Sequence, residues 1–238
     1  MCGILGELKV CVLQKIKYTT GIYSAFTYSI DFMHTEVYMR STEELNKTGL
    51  STAIIREAIT FVYRTLTVLD DALLSREIDR FTKLVERTTL SSLIGDLLRT
   101  GIVKSSNGLY RNNAPHTYPD ILHTTNPAFD LELKVALGDN EPKGHLAKSG
   151  LYLTCHYVLQ TNDIPQIWLL RFGLLQEQHF NISNTAGDSG KNAAINASGI
   201  GCLQPIYFAP SLCPLPITKR AKRAKEIFEA FDLHYPCK

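Results

Sequence analysis

Three charged residues near the middle of the chain have the types and the spacing of a metal-dependent hydrolytic site. Asp120 follows Pro119, and after eleven further residues Glu132 and Lys134 stand two positions apart. Residues two apart on a strand share one face, and Asp120 at the end of a neighbouring strand can stand beside them. Two converging carboxylates suit Mg²⁺, and a lysine beside that ion can orient or help to deprotonate a water molecule whose pKa the ion lowers. The spacing therefore predicts hydrolysis of a phosphodiester, with Asp120 and Glu132 as Mg²⁺ ligands and Lys134 as the third catalytic residue.

The segments around these residues have the patterns of strands. Residues 118–123 form a short strand candidate, and apolar and polar side chains alternate over residues 129–137. Residues 138–148 are typical of a turn-rich loop. Residues 151–159 and 166–175, rich in Leu, Tyr, Ile and Trp, predict two more strands.

Helical patterns precede and follow these strands. Residues 41–44 (Ser-Thr-Glu-Glu) resemble a helix start, with a hydroxyl cap and early acids. Apolar residues at spacings of three and four predict a helix over 52–74 and a second helical stretch over 75–99, with a break at 88–89. Residues 218–231 predict a basic C-terminal helix. Helices, then a run of strands, then a helix predict an α/β fold with a central mixed β-sheet flanked by helices.

The motif formed by Pro119-Asp120, Glu132 and Lys134 resembles that of the PD-(D/E)xK nuclease family, which includes many type II restriction endonucleases. The resemblance extends in pattern over residues 77–210. It implies a restriction-endonuclease-like fold, in which a helix is followed by a mixed sheet whose second and third strands bear the motif. It also implies Mg²⁺-dependent, sequence-specific hydrolysis of double-stranded DNA in restriction-modification. The family often carries an acid on the preceding helix, a place that Glu86 or Glu77 would fill.

This resemblance implies one nuclease domain and a paired assembly. We expect a single domain over residues 1–238, with residues 1–50 as an N-terminal extension and residues 77–210 as the catalytic core. An endonuclease that cleaves duplex DNA must hydrolyse two strands, and a chain of this size most simply carries one active site. We therefore expect a homodimer, in which a two-fold axis presents one site to each strand of a symmetric sequence.

Two segments near the C-terminus predict DNA contacts of different kinds. Residues 183–201 are rich in amides and hydroxyls, which can read base edges; the candidates are Ser189, Lys191, Asn192 and Asn196. Residues 219–225 form a basic run, in which Arg220 and Arg223 would contact phosphates whatever the sequence. An exposed flexible loop and a solvated helix face are the alternative interpretations of these two segments.

Composition excludes several classes of protein. Of the 238 residues, 45% are hydrophobic and 20% are charged, which excludes wholesale disorder. The net charge of +2 excludes a histone-like polycation, and no apolar run has the length of a bilayer-spanning helix, so no membrane partner is expected. The six cysteines include no C-x-x-C pair, which argues against a structural zinc site. The N-terminus lacks the pattern of a signal peptide, so we expect a cytoplasmic protein. The resemblance to restriction endonucleases implies that this cytoplasm is bacterial or archaeal.

The metal ligand on the first strand has a rival. Asp130 shares a strand face with Glu132 and Lys134, so it is an alternative ligand to Asp120. We favour Asp120 because ligands from two different strands converge better than three ligands along one strand.

Two other functional classes stay open at the level of sequence. Residues 130–134 also fit the solvent side of an amphipathic strand in a non-catalytic nucleic-acid-binding protein. Residues 1–4 (Met-Cys-Gly-Ile) resemble the start of N-terminal-nucleophile glutamine amidotransferases, in which a freed Cys2 attacks an amide.

Overall fold

Apolar side chains at helical spacing build two long helices in the first half of the chain. The computed structural model describes residues 13–16, 36–115, 117–144, 147–184, 191–216 and 222–236. The first helices are α1 (Glu43–Lys47), α2 (Thr52–Leu74), α3 (Phe81–Leu84) and α4 (Arg87–Ser105). The side chains of Thr42 and Ser51 cap α1 and α2 by accepting backbone hydrogen bonds at 3.1 and 3.2 Å. The helices predicted to begin near residue 41 and to run over 52–74 are confirmed. No helix among the described residues has both the length and the apolar character to cross a membrane.

The connection between α2 and α4 differs from the prediction. Residues 75–80 form a turn and an extended stretch instead of a helix. The buried Asp70 holds this connection, because its carboxylate accepts hydrogen bonds from Nη1 of Arg80 and from the backbone N–H of Phe81, both at 2.9 Å. The helical pattern breaks at residues 85–86, not at 88–89. Ile78, one of the apolar positions on which the predicted second helical stretch rests, is 42% exposed.

The strands form two sheets. They are β1 (Leu13–Ile16), β2 (Val37–Arg40), β3 (Tyr110–Asn112), β4 (Ile121–His123), β5 (Leu131–Leu137), β6 (Lys143–Gly144), β7 (Gly150–Leu159), β8 (Pro165–Leu175), β9 (Phe180–Asn184), β10 (Lys191–Ile195) and β11 (Gln204–Phe208). Eight strands form the large sheet in the order β1-β2-β11-β8-β7-β5-β4-β3, and β6-β10-β9 form a small one. Within the described residues β5 and β7 are the parallel pair, and the other pairs are antiparallel. The fold is therefore α/β with a large mixed sheet flanked by helices, as predicted.

The two faces of the large sheet are covered by different layers. On one face, Leu133, Leu153 and Phe172 belong to one core with the buried residues of α2 and α4. On the other face, helix α6 (Lys222–Ala230) packs against Trp168, while the small sheet packs against Tyr152. Because side chains alternate along β5, Glu132 and Lys134 lie on this second face.

Three segments that the sequence did not predict as strands contribute strands. In the segment 181–201, β9 pairs with β10, and helix α5 (Ala197–Cys202) follows; residues 185–190 lie outside the described residues. Within the predicted loop 138–148, β6 pairs with β10, so the loop prediction is wrong for residues 143–144. Strand β2 pairs with β11, so residues 37–40, which the sequence places in an N-terminal extension, belong to the large sheet.

Candidate functional site

The antiparallel pairing of β4 with β5 brings Asp120 beside Glu132. Ile121 pairs with Leu131, so residue 120 stands opposite residue 132. The backbone N–H of Asp120 donates to Oε2 of Glu132 at 3.2 Å, and the N–H of Leu133 donates to Oδ2 of Asp120 at 2.8 Å. Each carboxylate thus accepts a hydrogen bond from the backbone of the opposite segment, which holds the two acids side by side.

Lys134 completes the group that the sequence singles out. Its Nζ forms a hydrogen-bonded ion pair with Oε1 of Glu132, and both side chains are largely buried. Gly144 of β6 lies over this lysine: a Cβ added there would stand 2.8 Å from Cε and 3.1 Å from Nζ of Lys134. The bare backbone at position 144 therefore leaves room for the ammonium group beside the two carboxylates.

Burial and like charge disfavour ionisation of Glu132. Burial raises the pKa of Glu132, the ammonium of Lys134 opposes this shift, and the charge of Asp120 adds to it. The phenols of Tyr118 and Tyr152 lie close by. Burial raises the pKa of both phenols, and the charge of Glu132 adds to each shift. A cation next to both acids would relieve the repulsion between them and favour their ionised forms.

A cavity of about 320 Å³ opens beside this group. Pairing between β4 and β5 is limited to Ile121 with Leu131, so the later part of β5 faces α4 and β6 across the cavity. The lining residues are Asp120, Leu133, Lys134 and Val135 from the sheet, Ser91, Ser92, Gly95, Asp96 and Arg99 from α4, and Lys143 and Gly144 from β6. A cleft of this volume is in the range that binds small ligands.

Two charged residues of α4 line this cavity, and the sequence did not single them out. Asp96 accepts a hydrogen bond from Nη2 of Arg99 at 2.9 Å, and both side chains border the cavity. The predicted helix acids lie elsewhere: Glu77 is in the turn after α2, and Glu86 is the N-cap of α4. Gly95 was the available signal, because a glycine inside an amphipathic helix often marks close packing. A Cβ at Gly95 would stand 3.2 Å from a valine methyl group of β5.

The rival acid Asp130 serves the connection between β4 and β5. Its Oδ1 accepts a hydrogen bond from the backbone N–H of His123 at 2.7 Å, and it does not line the cavity. The structure thus brings Asp120, and not Asp130, to Glu132. Among the described residues, no group of three His, Cys, Asp or Glu side chains is placed to hold a metal. An ion held by Asp120 and Glu132 would therefore take its other ligands from backbone carbonyls, water or substrate.

The predicted base-reading residues lie on and after the small sheet. Ser189 lies outside the described residues, Lys191 begins β10, and Asn192 is half-buried on the same strand. Asn196 is the N-cap of α5. Its Oδ1 accepts a hydrogen bond from the N–H of Gly199 and its Nδ2 donates to a backbone carbonyl, both at 2.9 Å. Both ends of this amide are engaged within the protein, and its part in base readout stays a prediction.

The two arginines that were predicted to contact phosphates belong to the basic run near the C-terminus. Arg220 lies outside the described residues, as does Cys2 at the other end of the chain. Nη1 of Arg223 donates to the carbonyl of Asp139 at 3.4 Å. Its Nε and Nη2 are buried and have no hydrogen-bond partner within the described ranges. Arg223 therefore lines a second cavity, and its contact with DNA phosphates stays a prediction.

Within the described residues, Asp120, Glu132 and Lys134 form one compact group where β4 meets β5. Its support is physical: reciprocal hydrogen bonds, an ion pair, burial and an adjoining cavity. In comparisons with known proteins, no family model, no curated protein and no solved structure matches this chain.

Proposed function

We propose that this chain is a Mg²⁺-dependent endonuclease of the PD-(D/E)xK type that hydrolyses phosphodiester bonds of double-stranded DNA, as type II restriction enzymes do. The observation that carries the proposal is the position of Asp120 opposite Glu132, with Lys134 beside them at a cavity. The mixed sheet with a long helix packed on one face supports it, because that family bears its motif on such a sheet.

Each residue of the group has a defined part in this proposal. Asp120 and Glu132 would hold Mg²⁺, which when bound lowers the pKa of a water molecule and offsets charge on a phosphate. Lys134 lines the cavity, so its ammonium can hold a water molecule or a phosphate oxygen by a charge-assisted hydrogen bond. Arg99 on the α4 side of the same cavity supplies a second positive charge toward a phosphate.

A second function has an observation in its favour. The three charged groups satisfy one another through the ion pair and the two backbone hydrogen bonds. Such a set can also serve only to fix the junction between β4 and β5 in a protein that binds nucleic acid without cutting it. Only cleavage distinguishes the two functions.

Cleavage of plasmid DNA with Mg²⁺ and with EDTA tests the proposal. We expect cleavage by the wild type in Mg²⁺ and a loss of roughly a hundredfold or more in Glu132→Gln and in Lys134→Met. The matched control is Glu177→Gln, an exposed acid away from the cavity, which should cut like the wild type. Duplex binding in Ca²⁺ should survive in all variants. Wild-type protein that binds duplex DNA but never cuts it would favour the second function.

A homodimer belongs to the same proposal. Two copies related by a two-fold axis would place one cavity at each strand of a symmetric DNA sequence. Sedimentation with an uncleavable duplex should show two protomers for each duplex. A stable one-to-one complex would instead indicate a monomer that nicks the two strands in turn.

A further inference from the structure

A second cavity, of about 620 Å³, lies on the face of the large sheet that also bears Glu132 and Lys134. Strand β8 contributes Arg171 to its wall, and the beginning of α6 contributes Lys222 and Arg223. Lys134, Thr154 and Arg171 occupy one cross-strand row on β5, β7 and β8. Arg171 is therefore two strands, about 10 Å, away from Lys134, and no residue of the candidate metal site lines this second cavity.

Arg171 is a buried cation that has no hydrogen-bond or ion-pair partner among the described residues. It is 3% exposed and lies between Leu170 and Phe172 on a strand whose other residues are almost all apolar. Its Nη1 has no hydrogen-bond partner, and its guanidinium forms no ion pair, among the described residues. Burial, followed by the charge of Arg223, lowers the pKa of Arg171 to about 9, so the group still carries its charge at neutral pH. A buried charge of this kind is strongly unfavourable unless something neutralises it.

Arg223 adds a second incompletely paired guanidinium to the same cavity. Its Nε and Nη2 are buried without a hydrogen-bond partner in the described ranges, and its Nη1 makes one long hydrogen bond of 3.4 Å. Glu226 is the acid nearest to Arg223 in sequence. Its Oε1 lies 3.7 Å from Nζ of Lys222, and it forms no ion pair with either arginine. Arg171 and Arg223 thus converge on one space, whose wall also carries Lys222 and the carboxylates of Glu141 and Glu226. Three donor nitrogens of the two arginines have no hydrogen-bond partner among the described residues.

We propose that this cavity binds the phosphate group of a ligand through Arg171 and Arg223. The Nε and Nη2 edge of a guanidinium takes two oxygens of an oxyanion side by side, and Nη1 of the other arginine is available for a third oxygen. Three oxygens and a charge near −2 describe a phosphate better than a carboxylate, which has two oxygens and one charge.

The cavity is larger than a phosphate and has an apolar side. Ile200, Leu203 and Ile227 line it together with the two arginines. A pocket of this size with apolar walls and a few convergent polar groups fits a small phosphorylated molecule whose remaining part contacts those side chains. This inference does not depend on the proposed nuclease function, because the two sites share no residue.

Calorimetric titration with inorganic phosphate tests the site directly. The titration is done in EDTA, so that no metal bridges phosphate to Asp120 or Glu132, and at about 150 mM salt to screen surface charge. We expect binding by the wild type and a weakening of roughly tenfold to a hundredfold in Arg223→Gln. The matched control is Lys225→Gln, an exposed cation two residues further along α6, which should change the affinity less than about twofold.

A variant on β8 tests the same site if Arg223→Gln disturbs the folding of α6. Arg171→Met removes the buried charge while keeping a long side chain, so it should abolish phosphate binding and raise the midpoint of thermal unfolding in phosphate-free buffer. Absence of phosphate binding by the wild type, or equal binding by the wild type and both arginine variants, would overturn the proposal.

The source of the phosphate is decided by a parallel titration with duplex DNA. If Arg223→Gln weakens phosphate binding but leaves duplex affinity unchanged, the site takes a small phosphorylated molecule. If both affinities fall by similar factors while that of Lys225→Gln does not, the site takes a phosphate of the nucleic acid backbone. A change in duplex affinity with no change in phosphate affinity would contradict the proposed site.

Discussion

His156 should make the stability of this protein fall steeply in mild acid. The side chain lies on β7, fully buried and with its ring centroid 5.8 Å from that of Trp168. Within the described ranges neither ring nitrogen has a hydrogen-bond partner, and the nearby carbonyl of Gly138 already accepts a hydrogen bond from Trp168 at 3.0 Å. Burial, followed by the charges of Arg171 and Arg223, lowers the pKa of His156 from 6.5 to about 3.

The sign and size of the effect follow from these two pKa values. The unfolded chain binds a proton at His156 near pH 6.5, whereas the folded protein does so only near pH 3. Between these values the unfolded state holds more protons, so stability is complete above pH 6.5 and falls as the pH is lowered. Each pH unit changes the free energy of unfolding by about 1.4 kcal/mol. At pH 4.5, two units below the unfolded pKa, the loss is roughly 3 kcal/mol.

Urea unfolding at pH 7.5 and at pH 4.5 measures this loss. Other groups also titrate in this range, so the wild type is compared with His156→Leu, which keeps an apolar side chain in the core but cannot take up a proton. We expect the wild type to lose roughly 3 kcal/mol more than the variant between the two pH values. Equal losses in the two proteins would show that His156 is protonated in the folded state and would refute this account of its burial.

Three further perturbations have definite expected outcomes. Two carboxylates make a weak cation site, with a Kd on the order of 1 mM, so 10 mM Ca²⁺ should stabilise the wild type by about 1.4 kcal/mol and raise Tm by roughly 3–6 °C; the shift should vanish in Glu132→Gln, and its persistence there would place the ion elsewhere. Gly144→Ala should reduce cleavage with little change in Tm, because the new Cβ meets the flexible end of Lys134 and not backbone; unchanged cleavage would show that the ammonium position is not important. Gly101→Ala should destabilise the protein by about 1–3 kcal/mol in urea unfolding, because a Cβ there would stand 2.7 Å from Cα of Ala58 on α2; the control Gly201→Ala meets no atom within 4 Å, and an equal effect of both would refute the close packing of α2 on α4.

Local pattern predicted the helices well where no long-range contact intervenes. The spacing of Ile55, Ile59 and Leu66 corresponds to one buried face of α2, and the helix has the predicted bounds. The failure after α2 has a specific cause, since Asp70 is buried and gathers hydrogen bonds from Arg80 and from the backbone. A buried aspartate ten residues before its partner has no signature in hydrophobic periodicity.

Amino-acid composition could not predict which distant segments pair as strands. The run of Asn, Ser, Ala and Gly over 183–201 is typical of a loop, yet β10 lies between β9 and β6, and its partner in β6 is about fifty residues earlier. The amide of Asn196 was predicted to read base edges because composition does not show its contacts within the protein. Its hydrogen-bond partners are set by the helix that begins after it and by a carbonyl eighteen residues away.

The sequence allowed part of the candidate site to be predicted. Period-2 alternation places Glu132 and Lys134 on one face, and a short connection places Asp120 near them. The charges contributed by α4 were not accessible, because they depend on how the helix is rotated against the sheet. Arg171 was visible as a charge within an apolar strand, but whether it has a partner depends on the packed structure, and among the described residues it has none.

The pairing of β2 with β11 has a consequence for biosynthesis. Residues 37–40 leave the ribosome long before residues 204–208, so β2 is made with its sheet partner on that side still missing. Helices α2 and α4 can form from local contacts as they emerge, but the β11 side of β8, in the middle of the sheet, stays unpaired until β11 arrives. An open edge flanked by apolar strands is a template for pairing with other chains. A ribosome that pauses before residue 204 would therefore hold a nascent chain that is prone to aggregation, and its rescue would depend on chaperones or on rapid completion of the last strand.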